Sequence, residues 1–259
     1  MINKYRDLKK TFDLGKRVLN DPFHIEGNSK SLEEINKNPL RSDIINFLLS
    51  TLNRTDTTYL EIGVRFPEEN FTKIQANTKY GVDPGVENKM NPVDFKLTSD
   101  DFFNQLRSGK ILNPQFKFDV IFIDGLHLAE QVDRDIINSL QFINEDGFIV
   151  LHDCNPPTEF HAIESHAYKL SPAKGYWNGT TWKAFFKWRH NNSVFSCCID
   201  TDWGIGILSK KINFGRPNIP QNPFYEYNIL NKNRVESLNL ISYDSFKKVI
   251  ESHKVSNDI

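Results

Sequence analysis

The stretch from Phe118 to Pro157 most constrains the fold of this chain. One apolar run stops at Asp124, a second stops at His152, and an amphipathic helical pattern lies between them. Two buried-type strands joined by a helix predict a parallel βαβ unit, and ligands in open α/β sheets bind beyond the carboxyl ends of such strands. The unit therefore predicts a crevice lined by Asp124, His127, His152 and Asp153.

A second strand pair, earlier in the chain, predicts an adenosine site. A β-branched and aromatic strand pattern ends at Gly63, and the next parallel strand pattern ends at Asp83. Asp83 follows Gly63 by 20 residues. At this spacing a carboxylate that closes the second strand meets the ribose hydroxyls of an adenosine cofactor. A dinucleotide loop would need two further glycines, but Arg65 and Glu68 occupy that region. Adenosine bound without a pyrophosphate, as in S-adenosylmethionine, therefore fits better.

The remaining patterns complete an α/β fold with a terminal hairpin. Helices are predicted over 42–52, 66–77, 101–107, 182–188 and 243–252, a short strand over 94–98, and a hairpin from 193–199 and 204–209. The predicted organisation is an N-terminal helical extension (1–40), a central domain (41–210) with a substrate-side insertion (156–192), and a C-terminal extension (211–259).

Composition excludes several classes of function. The 32 Lys and Arg nearly cancel the 33 Asp and Glu, so no global basic field would attract nucleic acid. No apolar run approaches a membrane span, and the N-terminus lacks the apolar segment of a secretory signal. Three cysteines without paired spacing argue against a disulfide framework and favour a reducing cytoplasm. Oligomeric state stays open.

The crevice residues suit two chemistries. Converging carboxylates and imidazoles can bind a divalent metal, or they can place a general base beside a nucleophilic hydroxyl. The aromatic run that starts at Tyr176 suggests a lid or a sugar-stacking wall, or else simple packing beneath the insertion. His161 and His166 are further candidates for the site, and Cys154 is a less favoured nucleophile.

An ordered set of motifs carries a family resemblance. These are YLEIGVR (59–65), YGVDP (80–84), TSDDFF (98–103), FDVIFIDGLH (118–127), IVLHDCN (149–155), WNGTTWK (177–183) and residues 200–206. Together they resemble a class I S-adenosylmethionine-dependent methyltransferase of the family 24 type, near the macrocin- and mycinamicin-type sugar O-methyltransferases. The resemblance implies a Rossmann-like sheet of seven strands with the last strand antiparallel.

The resemblance also implies roles for individual residues. The expected cofactor residues are Glu61, Gly63, Arg65, Asp83, Ser99, Asp100 and Asp124. The expected catalytic set is His127 as base with Asp124, His152 and Asp153, and the last three match metal-ligand positions for Mg²⁺ or another divalent cation. The expected acceptor residues are Tyr176, Trp177, Thr180 and Trp182. The sequence departs from the family pattern at three places. His152 stands where the pattern has a carboxylate, and Thr180 stands where it has an aspartate. Phe66-Pro67 stands where it has a glycine.

The function expected from this resemblance is O-methylation of a sugar hydroxyl, on a nucleotide-activated sugar or a surface (capsular) polysaccharide precursor. A phosphoramidate or a small natural product is an alternative acceptor. A non-catalytic Rossmann-like binding module, or a hydrolase or oxygenase that uses the same crevice, is the alternative from another class.

Overall fold

The computed structural model describes residues 2–166, 171–215 and 218–257. Its strands are β1 (Thr58–Ile62), β2 (Thr78–Val82), β3 (Phe118–Ile123), β4 (Ile143–Leu151), β5 (Phe195–Ile199), β6 (Ile205–Ser209) and β7 (Leu240–Ile241). They form one sheet in the order β2-β1-β3-β4-β6-β5-β7. β6 runs antiparallel to both of its neighbours, and the other pairs are parallel. This arrangement confirms the predicted Rossmann-like methyltransferase sheet.

The rest of the regular structure consists mainly of α-helices. They are α1 (Ile2–Leu19), α2 (Pro22–Ile35), α3 (Arg41–Thr51), α4 (Ser99–Arg107), α5 (Ala129–Phe142), α6 (Thr181–Arg189), α7 (Tyr227–Lys232), α8 (Arg234–Leu238) and α9 (Tyr243–Asn257). In the described part of the chain, none of them is long and apolar enough to span a bilayer.

The alternation of side chains along the strands divides the core into two halves. Leu60 and Ile121 belong to the cluster shared with α4, α5 and α6, whereas Tyr59 and Val120 belong to the cluster shared with α3 and α9. Successive strand residues point to opposite faces of a sheet, and parallel strands covered on both faces are apolar throughout. Accordingly, every residue of β3 is buried.

Two elements predicted in the first half of the chain, a helix and a strand, do not form there. In place of a crossover helix over 66–77 there is one 3₁₀ turn, Phe71–Lys73, because Asn70 is drawn into the core to bond Glu61. In place of the predicted strand over 94–98 there is an isolated β-bridge between Val82 and Phe95. The Gly81 amide donates to the Asp94 carboxylate and not to a backbone carbonyl of a neighbouring strand. The seventh strand is instead β7, from the predicted C-terminal extension.

The other predicted helices and the hairpin are present within a few residues of the expected bounds. The predicted N-terminal extension contains α1 and α2, and the predicted C-terminal extension contains α7, α8, β7 and α9. The proposed insertion, 156–192, includes α6, and part of it (167–170) lies outside the described residues. The division into one domain with extensions stays a prediction.

Candidate active site

Four strand ends lie side by side at one edge of the sheet. Ile62 of β1 pairs with Val82 of β2 and with Ile123 of β3, and Ile123 pairs with Leu151 of β4. The residues that follow these strand ends are Gly63, Asp83, Asp124 and His152. Parallel register therefore brings the predicted adenosine side and the predicted acceptor side to one crevice, which is a cavity of about 1040 Å³.

Most of the predicted site residues line this cavity. The predicted lining residues are Gly63, Arg65, Asp83, Ser99, Asp124, His127, His152, Asp153, Tyr176 and Trp177. Arg41, Asp135, His166 and Trp203 also line it.

Gly63 lies close to the neighbouring backbone at the edge of the sheet. Its φ of +94° lies in the left-handed region, and a Cβ at this position would stand 2.2 Å from the carbonyl oxygen of Asp124. Only glycine fits such a turn. Asp83, at the neighbouring strand end, receives the Gly85 amide at 2.6 Å, and burial raises the pKa of its carboxyl group.

Ser99 and Asp135 form a polar floor on the same side of the cavity. Gln131 donates to the Ser99 hydroxyl and to the Asp135 carboxylate, both at 3.0 Å. Burial raises the pKa of Asp135 to about 6, against the hydrogen bonds from Ser99 and Gln131. No sequence pattern singles out Asp135, because it resembles any polar position on an amphipathic helix.

Four predicted site residues lie outside the cavity lining. Glu61 is buried behind it, accepting from Tyr59 at 2.6 Å and from Asn70 at 2.9 Å, and burial raises its pKa to about 7. Asp100 pairs with Arg134 beside the rim. Thr180 accepts the first amide of α5, at 2.8 Å from Ala129, and Trp182 is buried in the core. The structure thus separates Glu61, Asp100, Thr180 and Trp182 from the other predicted residues.

Two carboxylates and two imidazoles form a closed ring at the centre of the crevice. His127 Nε2 lies 3.2 Å from Asp124 Oδ1, and His127 Nδ1 lies 3.3 Å from Asp153 Oδ2. His152 Nδ1 lies 3.2 Å from the same Asp124 oxygen and 3.1 Å from the same Asp153 oxygen. Asp153 reaches this position from a left-handed backbone, with φ of 61°, directly after the turn that leaves β4.

The charges of the ring reinforce one another. Burial lowers the pKa of both histidines, because it disfavours the charged imidazolium. The nearby carboxylates of Asp153 and Asp124 outweigh this effect. They raise the pKa of His127, and they raise that of His152 well above its usual range. Burial would raise the pKa of Asp124, but the positive charge of His152 and the hydrogen bonds from both histidines hold it well below its usual range. With no cation bound, the ring is therefore a network of ion pairs.

Arg41 and Asp202 complete the cluster from behind, and sequence reasoning missed both. Arg41 Nη1 lies 2.9 Å from His152 Nε2, while the Arg41 amide donates to Asp202 Oδ2 at 2.8 Å. Asp202 stands in the turn between β5 and β6, where its own φ, that of Trp203 and that of Gly204 are all positive. The two acidic residues of that predicted hairpin turn were the available signal. Arg41, at the start of a helix, offered none.

Two aromatic stacks form the wall opposite the sheet. Tyr176 stacks on Trp203, with ring centroids 5.2 Å apart and planes 25° apart. Trp177 lies between His127 at 5.1 Å and His166 at 5.3 Å. The insertion and the hairpin turn therefore present flat aromatic surfaces to the cavity.

His161, the other histidine of the insertion, does not line the cavity. It is fully buried and bonded to Ser31 at 2.9 Å and to Thr158 at 2.8 Å, and burial lowers its pKa to about 4. Cys154 is also fully buried, and burial raises its pKa well above the usual range, which keeps the thiol protonated. Both residues are structural in this arrangement.

The ring residues fit a divalent cation by chemistry and by distance. Asp124, His152 and Asp153 each offer one ligand atom, and these atoms all lie within 4.8 Å of one another. Two carboxylates suit Mg²⁺ or Mn²⁺, and an imidazole shifts the preference towards Mn²⁺ and later metals. Coordination requires His152 Nδ1 without its proton, so a bound cation would replace a proton in the ring.

Comparison with known proteins agrees with the predicted class. A family model described as a methyltransferase domain matches residues 46–154, which contain β1 to β4 and all four ring residues. A search of curated proteins found no match to the chain. The fold and the family match support an S-adenosylmethionine-dependent methyltransferase of class I.

Several solved structures show distant similarity to this chain. An O-methyltransferase from Bacillus cereus in complex with SAH is 13% identical (74% of this chain, 92% of that chain, TM-score 0.41). The plantazolicin methyltransferase BpumL is 11% identical (81% and 98%, TM-score 0.45), and Streptomyces venezuelae DesVI is 12% identical (79% and 98%, TM-score 0.39). Similarity at this level adds nothing about the substrate.

Proposed function

We propose that the protein is an S-adenosylmethionine-dependent O-methyltransferase that acts on a hydroxyl group of a sugar. We propose a nucleotide-activated sugar or a surface-polysaccharide precursor as the acceptor. The observation that carries the proposal is the shared cavity, in which Gly63 and Asp83 lie at strand ends directly beside the carboxylate–imidazole ring.

The cofactor would lie along the ends of β1 and β2. Gly63 leaves room for a ligand to approach the backbone, Asp83 is placed to accept from ribose hydroxyls, and Ser99 with Asp135 lies farther along the same wall. When bound, S-adenosylmethionine supplies a methyl group on a positively charged sulfur, which is already reactive towards a nucleophile. The protein then needs to align the acceptor hydroxyl and remove its proton.

His127 is the proposed base. It is the ring histidine on the aromatic side of the cavity, and its Nδ1 lies 3.0 Å from the carbonyl oxygen of Trp177. Both nitrogens face only hydrogen-bond acceptors, so the arrangement without a cation favours the doubly protonated ring, which cannot accept a proton. When Asp124 and Asp153 share their charge with a cation, their pull on the His127 proton weakens and its pKa falls. A cation would therefore turn His127 into a base at neutral pH.

The aromatic stacks support a sugar acceptor. Tyr176, which is 43% exposed and stacks on Trp203, offers a flat face beside polar groups. Such walls bind the apolar faces of ring compounds while polar groups fix their hydroxyls. A phosphoramidate or a small natural product would use the same walls. A non-catalytic binding module would use the cofactor side alone.

The first test is calorimetric titration with S-adenosylhomocysteine, followed by transfer of labelled methyl from S-adenosylmethionine to a panel of nucleotide sugars. We expect binding, transfer to a sugar, loss of transfer in EDTA and recovery with Mn²⁺ or Mg²⁺. Absence of binding would overturn the proposal. Binding without transfer to any sugar or natural-product hydroxyl would favour the binding module, and transfer that resists EDTA would remove the metal assignment.

A further inference from the structure

Helix α1 has an apolar stripe that nothing in the described part of the chain covers. Tyr5, Leu8, Phe12 and Leu19 recur at steps of three, four and seven residues, which places them on one face of a helix. Their exposed fractions range from 62% to 75%. From Lys4 to Leu19 every residue except Val18 is exposed, so α1 does not pack against the body of the protein on any face.

A helix with this pattern ordinarily owes its stability to packing of its apolar face. The large exposed stripe on α1 therefore implies a partner that covers it. The charges on the same helix indicate the kind of partner. α1 carries six basic and only two acidic residues, although the whole chain has a net charge of −1.

The basic residues are arranged around the stripe. At 100° per residue, Lys4 falls on one side of it, and Lys9 and Lys16 fall on the other. Lysine stems can extend along an apolar surface and place their charged ends at its polar border. An apolar face bordered by lysines on both sides, on a helix of low overall hydrophobicity, is typical of helices that lie in the plane of an anionic membrane surface.

Pairing of α1 with a second copy of itself is disfavoured by the same residues. The apolar residues follow a heptad-like spacing, but the flanking positions are lysines, which would face one another in a self-paired helix. Gly15 also occupies the one remaining position of the stripe and leaves a gap in any helix–helix seam. A lipid surface tolerates both features, because anionic headgroups attract the lysines and acyl chains fill the gap.

We propose that α1 is a membrane-surface helix that docks the protein on anionic lipid, with Tyr5, Leu8, Phe12 and Leu19 inserted at the level of the headgroups. α1 joins the body through α2, from which it is separated only by Asn20 and Asp21. α2 itself is firmly held, since a Cβ on Gly27 would stand 2.3 Å from the carbonyl oxygen of Pro172. Docking by α1 would therefore tether the rest of the chain to the surface.

The test is flotation of the full chain with vesicles of phosphatidylcholine containing about 30% phosphatidylglycerol, compared with vesicles of phosphatidylcholine alone. We expect flotation with the anionic vesicles only, and its loss on raising the salt from about 0.1 M to about 1 M, where charges are screened. Phe12→Gln should lower the vesicle partition constant about tenfold. Lys9→Gln with Lys16→Gln should lower it by about fivefold per charge.

Leu14→Gln is the matched control, because Leu14 is as exposed as Phe12 but points to the opposite side of α1. It should bind vesicles like the original chain, and all variants should keep their affinity for S-adenosylhomocysteine. The proposal is overturned if the original chain does not float, if neutral vesicles bind it equally, or if Leu14→Gln weakens binding as much as Phe12→Gln. A dimer in light scattering that Phe12→Gln dissociates would assign the stripe to a second copy instead.

Discussion

The Oδ1 atom of Asp202 lies 3.2 Å from Nε2 of His152, although 50 positions separate the two residues. Arg41 Nη1 lies 2.9 Å from the same nitrogen. Burial opposes the charge of Asp202, but the positive charge of His152 and its hydrogen bond lower the Asp202 pKa to about 2, so the carboxylate stays ionised. An ionised Asp202 favours a proton on Nε2 and leaves Nδ1 free for a cation, whereas Arg41 favours the opposite tautomer.

From this competition we expect Asp202→Asn to weaken metal binding. Without the carboxylate, Arg41 dominates at Nε2 and the proton moves to Nδ1, the atom that faces Asp124 and Asp153. Loss of such a supporting carboxylate typically lowers metal affinity about 10- to 100-fold. Titration of Mn²⁺ followed by electron paramagnetic resonance measures the change directly.

Asp200→Asn is the control, since Asp200 lies in the same turn but bonds Lys37 and Asn155. It should leave the Mn²⁺ affinity unchanged. Equal affinities for the original chain and Asp202→Asn would mean that Asp202 does not set the tautomer of His152.

Removing the proposed base should strongly reduce turnover and spare cofactor binding. His127→Gln keeps a polar side chain of similar length beside Trp177 but has no group that can accept the hydroxyl proton. We expect turnover to fall about 10²- to 10⁴-fold, while the affinity for S-adenosylhomocysteine stays within about twofold because His127 lies on the acceptor side. His166→Gln, on the other face of Trp177, should keep most of the activity. Retention of full activity by His127→Gln would remove the assignment.

Gly63→Ala should block the cofactor side. The added methyl would stand 2.2 Å from the Asp124 carbonyl oxygen, and the residue would have to hold a φ of +94°. Gly175→Ala supplies the control, because Gly175 has φ of +89° and no atom lies within 4 Å of the position that its Cβ would take. Both variants bear the cost of the left-handed backbone, about 1 kcal/mol, and only Gly63→Ala adds the clash.

Calorimetry with S-adenosylhomocysteine and thermal unfolding together measure these two effects. We expect binding to be lost in Gly63→Ala and retained in Gly175→Ala, with the larger fall in melting temperature for Gly63→Ala. Similar results for the two variants would show that close approach at Gly63 is unimportant.

The sequence predicted those parts of the site that depend on strand ends. Gly63, Asp83, Asp124 and His152 each follow an apolar strand, and parallel register then requires that they meet at one edge. The outer contributions could not be predicted in the same way. Arg41 reaches the ring from a separate helix, and Trp203 reaches the cavity through a run of left-handed residues in a turn.

The predicted residues that lie outside the cavity lining have a common physical reason for their positions. Motif positions give the residue type but not the direction of the side chain. Glu61 is an interior residue of β1 on the face of the sheet occupied by Tyr59, where Tyr59 and Asn70 bond its carboxylate. Thr180 and Trp182 belong to the start of α6, where one accepts a helix-end amide and the other packs in the core.

The contribution of His161 to the stability of the protein should fall in mild acid. Burial lowers the pKa of its ring to about 4, below the ordinary value of 6.5, so the unfolded chain takes up a proton that the folded chain refuses. Its contribution to stability is therefore complete above about pH 6.5 and is lost as the pH falls towards 4. Between about pH 7.5 and pH 5 the loss amounts to about 2 kcal/mol.

His127 and His152 act in the opposite direction, because their raised pKa values make stability decline as the pH rises above 6.5. The difference between the original chain and His161→Gln isolates the effect of His161, since both proteins contain His127 and His152. Urea unfolding at pH 7.5 and at pH 5 measures it. The original chain should lose about 2 kcal/mol more than His161→Gln over this interval, and equal losses would show that His161 is protonated in the folded protein despite its hydrogen bonds to Ser31 and Thr158.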